Sequence, residues 1–151
     1  QRPQQVVGLH FFNPPPLMPL IEVVPARDTD QAVVDAVCAF AQTLGKTPIT
    51  VANRPGFIVN RLLFAMIAEA IRILDQGWTC AADVDQALSL GASHRIGPLA
   101  LADFIGLDVT LDILRSLELG LGPHYAPSPS LLELVAHGRL GRKTGAGFFP
   151  Y

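Results

Sequence analysis

Residues 20–52 confine what this chain can build. Leu20-Ile-Glu-Val-Val24 is a short β-branched run, and Pro48-Ile-Thr-Val-Ala52 is a second. Between them Val33, Val37, Phe40 and Leu44 recur at helical spacing, with Asp28 or Thr29 as the expected N-cap and Gly45 as the stop. Strand, helix and strand in so short a span is a βαβ unit, whose strands run parallel. A parallel sheet needs cover on both faces and more strands than these. The expected fold is therefore the remnant of a doubly wound, Rossmann-like α/β sheet. Another strand, residues 5–12, precedes it and stops at Asn13-Pro14-Pro15-Pro16, where ladder donors are lost. We expect it in the same parallel sheet. Because this strand starts almost at Gln1, the sequence reads as a cut through a longer protein.

Asn53-Arg-Pro-Gly56 marks a change of style, after which every periodic segment is helical. Helices are expected over 57–76, over a segment reaching 90 with Thr79 as cap, and over 98–105 and 107–119. A last one opens at Ser128-Pro129, with Ser as N-cap and Pro at the first helical position. The expected organisation is residues 1–54 as the last strands and helix of a dinucleotide-binding domain, then an all-α domain over 55–151.

With 50% hydrophobic residues, 16% charged and a net charge of -2, the chain can fill a core and carries no footprint of a general nucleic-acid binder. No apolar run reaches membrane length and no leader is recognisable, so a cytoplasmic protein is expected. Cys38 and Cys80 lack metal-ligand spacing and are expected as buried free thiols rather than a disulfide. No metal site is expected.

Three polar residues sit in apolar patterns. His10 lies near the carboxyl end of the first strand, where open α/β sheets gather ligands and a neutral imidazole can accept a proton; a satisfied structural histidine is the plainer alternative. Glu22 shares a strand face with Leu20 and Val24, where a carboxylate needs a partner. That partner is either an imidazole on the neighbouring strand or an arginine at the strand end. Asn60 heads the stripe of Leu63, Phe64, Ile67, Ile71 and Leu74, as a cap, an interdomain contact or a ligand contact.

Taken in order, Gly8-Leu-His-Phe-Phe-Asn-Pro14, Glu22 and Arg54-Pro-Gly-Phe-Ile-Val-Asn-Arg61 resemble the 3-hydroxyacyl-CoA dehydrogenase family. So do Gly97-Pro98, Gly106-Leu-Asp108, Ser128-Pro-Ser130 and Gly141-Arg-Lys-Thr-Gly-Ala-Gly-Phe148. The resemblance implies oxidation of the C3 hydroxyl of a 3-hydroxyacyl-CoA with NAD, NADP being left open. It implies His10 as catalytic base, Glu22 as its orienting carboxylate and Asn60 at the reacting end of the substrate. Asn13 and Lys143 match positions that contact the nicotinamide cofactor; by themselves they read as a turn asparagine before proline and a solvated lysine. The family also implies a homodimer through the helical domain, for which Leu111, Leu114, Leu117, Leu119 and Leu121 are the expected surface. One departure stands out: these residues contain no G-x-G-x-x-G, the turn that cradles the cofactor's diphosphate. An isolated fragment is thus expected to be inactive. A non-catalytic dimerisation or acyl-binding module, like the crystallin relatives, is the alternative.

Overall fold

The computed structural model describes residues 2–151. The chain packs as two units, one ending at Ile58 and the other spanning Val59–Tyr151.

The first unit is a three-stranded sheet with one helix. Its elements are β1 (Val7–Phe11), β2 (Leu20–Pro25), α1 (Gln31–Thr43) and β3 (Thr47–Thr50), in sheet order β1-β2-β3. The β2–α1–β3 crossover is parallel, as the sequence predicts. The other pairing is not: β1 and β2 run antiparallel, with Val7 opposite Pro25 and Phe11 opposite Ile21. The physical reason is reach. Parallel neighbours need a connection of about a dozen residues or more, and residues 12–19 supply only a short proline-rich loop. Lys46 secures this loop by donating to the carbonyls of Pro15 at 2.7 Å, Met18 at 2.9 Å and Pro16 at 3.2 Å.

Helix α1 covers one face of the sheet through Val34 and Ala41, which pack with Ile21 and Val23 and are joined by Val7, Val37 and Cys38. The buried stripe is therefore rotated from the expected one, and Phe40 and Leu44 are exposed. Valine and alanine let the helix sit close to the strands, which the bulkier Phe40 would prevent. Asp30 holds the N-cap position without a side-chain bond. Thr29 instead accepts from Ala26 N–H and donates to the Val6 carbonyl.

The second unit is all helix: α2 (Val59–Asp75), α3 (Ala81–Ala92), α4 (Pro98–Ile105), α5 (Leu107–Leu121) and α6 (Pro129–Ala136). Phe64, Ile67, Ile71, Leu99, Leu107, Leu114 and Leu131 fill one continuous core. This corrects the reading of the α5 leucines. Leu111, Leu114 and Leu117 are buried in the unit's own core, Leu121 packs against it, and Leu119 alone of the five stands in solvent. One helix face had been counted as spare because the helices that cover it are remote in sequence. Cys38 and Cys80 are free thiols, but neither is buried: Cys38 is half-buried and Cys80, at the N-cap of α3, is exposed. Thr79 bonds Asp83 from outside the helix.

Two carboxylates, the half-buried Asp85 and the buried Asp103, organise this unit. Asp85 accepts the N–H groups of Leu99 and Ala100, satisfying the first turn of α4. Asp103, inside α4, accepts those of Phe148 and Phe149 at 3.0 and 2.9 Å and the Tyr151 hydroxyl at 3.2 Å. The tail is thereby clasped to the helix. Gly141 and Gly147 lie so close to Asp103 that a Cβ at either would run into it. Among the described residues, no helix is long and apolar enough to cross a membrane.

Candidate active site

The antiparallel register places His10 directly opposite Glu22. Opposed residues of such a pair project to the same face, here the face away from α1. His10 Nδ1 lies 2.7 Å from Glu22 Oε2. A carboxylate carries no proton, so Nδ1–H donates, and in the neutral imidazole Nε2 keeps its lone pair. Among the described residues Nε2 has no hydrogen-bond partner. Glu22 is 1% exposed while the His10 side chain is 28% exposed. The carboxylate is thus sealed and the imidazole reaches the surface.

The other carboxylate oxygen, Glu22 Oε1, accepts the N–H of Ile58 at 3.0 Å. A buried carboxylate with both oxygens engaged is held rigidly, and removing a partner from such a group costs about 3–5 kcal/mol. Aromatic rings border the imidazole: Phe12 edge-on at 4.7 Å and Phe57 tilted at 5.4 Å. Neither ring was singled out from the sequence. The signal available was their place within the motifs that carry His10 and Asn60.

Asn13 follows three residues after His10, in an exposed bend at the start of the proline loop. In the helical unit, Asn60 lies in the first turn of α2 on the line of Phe64, Ile67 and Ile71. It is half-buried and makes no side-chain hydrogen bond among the described residues. Lys143 is paired with both oxygens of Asp108, at 2.5 and 2.6 Å. That hydrogen bond holds the Asp108 carboxyl below its ordinary value. Next to Lys143, Arg142 stacks over the rings of Phe104 and Tyr151. Burial pushes the Tyr151 phenol up. No group of three or more His, Cys, Asp or Glu able to hold a metal occurs among the described residues.

A dinucleotide's diphosphate would need a glycine turn or bare N–H groups at a helix start. The turn leading into α1 lacks the glycine, and the uncapped N–H groups of the first turn of α1 follow directly on Asp30. The leading turn carries Asp28 and Asp30 around a single Arg27 and contains no glycine, so its carboxylates would repel phosphate. The residues present suit polar contacts at the nicotinamide end and do not fit the diphosphate.

Residues 1–54 match the family model for the 3-hydroxyacyl-CoA dehydrogenase NAD binding domain, and residues 56–151 match that for the C-terminal domain of the same enzymes. A 3-hydroxybutyryl-CoA dehydrogenase of Clostridioides difficile is 43% identical over 100% of this chain and 54% of its own length. The crystal structure of (S)-3-hydroxybutyryl-CoA dehydrogenase from Ralstonia eutropha aligns at a TM-score of 0.93 and 46% identity, covering 96% of this chain and 52% of the other. The 3-hydroxybutyryl-CoA dehydrogenase structure from Escherichia coli K12 aligns at 0.96 and 39% identity, over 99% and 32%. The chain spans about half the length of the curated relatives it matches. A Rossmann-type remnant followed by a helical domain defines the class, and the chain belongs to the 3-hydroxyacyl-CoA dehydrogenase family.

Proposed function

We propose that these residues are the C-terminal part of an NAD-dependent dehydrogenase that oxidises the C3 hydroxyl of a 3-hydroxyacyl-CoA, of the 3-hydroxybutyryl type, to the 3-keto form. Residues 1–54 close its dinucleotide-binding domain and residues 55–151 form its helical domain. The observation that carries the reading is the bond from His10 Nδ1–H to the sealed Glu22, which leaves Nε2 as a base. Nε2 takes the hydroxyl proton while the C3–H bond breaks. NAD, when bound, supplies the acceptor for the hydride. Glu22 holds the ring and balances the positive charge that the imidazole gains. Asn60 holds the acyl group in reacting geometry. Asn13 and Lys143 touch the nicotinamide end, the latter by leaving Asp108.

The test is NADH formation by the full-length protein with (S)-3-hydroxybutyryl-CoA. Absence of turnover in a folded preparation would end the reading. The 151 residues by themselves should neither bind NAD with micromolar affinity in calorimetry nor turn over, since the turn before α1 repels phosphate. The helical domain is the expected homodimer contact. Exposed Leu62, Leu90 and Phe104, with Leu119 kept from the α5 leucines, form its apolar surface. Sedimentation showing monomer alone at high micromolar concentration would refute it.

A further inference from the structure

Phe57 adopts a backbone conformation that its residue type disfavours. Its φ is 45°, in the left-handed region, directly after Gly56 at 74°. A second glycine would take this shape without a steric cost, whereas phenylalanine does not. Residues held this way persist only where the surroundings over-determine them, and they gather at functional sites. Two products of this turn converge on one pair. The backbone delivers Ile58 N–H to Glu22, and the Phe57 ring lies against the His10 imidazole. Phe12 at its edge and Glu22 at Nδ1 complete the side-chain neighbours that border the imidazole.

We infer that Phe57 is a positioning residue for His10: its ring, rather than the turn alone, keeps the imidazole in the rotamer that gives Nδ1–H to Glu22. A glycine would make the same turn more cheaply, so the strain at this position is the signature of a needed side chain. Without the ring the imidazole has room to turn about its χ angles, the Nδ1–Glu22 bond opens, and the proton distributes over both nitrogens. The effect on turnover rests on the function proposed above; the effect on the ring does not.

The experiment labels histidine with ¹⁵N in the full-length protein and compares wild type with Phe57→Gly, Phe57→Asn and Phe57→Tyr. Glycine relaxes the backbone and removes the ring. Asparagine tolerates the same left-handed backbone without a ring, and tyrosine keeps both ring and strain. Wild type and Phe57→Tyr should show neutral His10 as a single tautomer protonated at Nδ1. Phe57→Gly and Phe57→Asn should show both tautomers, with thermal midpoints no lower than that of Phe57→Tyr. Turnover in those two should fall about ten- to a hundredfold through kcat, the scale of a misplaced reacting group, with KM unchanged and Phe57→Tyr restoring it. A single Nδ1–H tautomer in either folded ringless variant overturns the inference. Mixed tautomers with unchanged turnover support the positioning and overturn instead the role given to His10.

Discussion

The two units bury their apolar residues on very different scales. Among the described residues, 14 buried ones join one cluster in the helical unit, whereas the cluster of the sheet unit holds four. Buried apolar area is the main stabilising term of a fold. The helical unit therefore carries its own stability. The sheet unit leaves Leu9, Phe11, Ile49 and Phe40 exposed and has two sheet edges. Yet the sheet unit holds the pair of His10 with a Glu22 that is 1% exposed. The larger apolar core and the histidine–carboxylate pair thus lie in different units.

Separating the units is the severest way to break this contrast. Residues 59–151 expressed alone should unfold in one cooperative thermal transition by circular dichroism, and residues 1–58 alone should show none. A sharp transition in the smaller piece would collapse the distinction. Within the full-length protein, His10→Gln should lower kcat by roughly 10²–10⁴. Glu22→Gln should cost less, because an amide still accepts from Nδ1–H but cannot balance the imidazolium; the ratio of the two kcat values checks this. Leu114→Ala, at a fully buried site, should instead lower unfolding free energy by about 2–5 kcal/mol in denaturant titrations while sparing kcat per folded molecule. Asp108→Asn should have the smallest effect, under about 1 kcal/mol for an exposed pair. The Asp108 carboxyl is held low by Lys143, so its contribution is present above its unfolded value and fades as pH falls through the folded one. Melting of wild type and variant should accordingly converge in acid.

The parallel β2–α1–β3 unit was legible because period-two and helical patterns alternate there without interruption. The direction of β1 was misread although the information was present. An eight-residue connection between Phe11 and Leu20 cannot cross over, and weighing its length against the apolar pattern would have corrected it. His10 and Glu22 could be singled out because polar groups in apolar strands are costly. Their opposition needed the hairpin register. The Asp103 clasp was not legible. Its partners are backbone N–H groups 45 and 46 positions away, and any sequence supplies those. Phe57 was equally silent, since a left-handed φ on a non-glycine residue leaves no mark in the pattern.

The hairpin between β1 and β2 has a consequence for length rather than for composition. Surface loops ordinarily accept added or missing residues, and residues 12–19 look like such a loop. Here the two strands must meet in step for His10 to face Glu22, and a slip of one residue sends a side chain to the opposite face. Lys46 grips the loop at three carbonyls, which leaves little slack to absorb an extra residue by bulging. The proline loop therefore works as a ruler. Substituting its prolines should be gentler than deleting any one of them, and evolutionary drift along this segment should alter letters without altering their number.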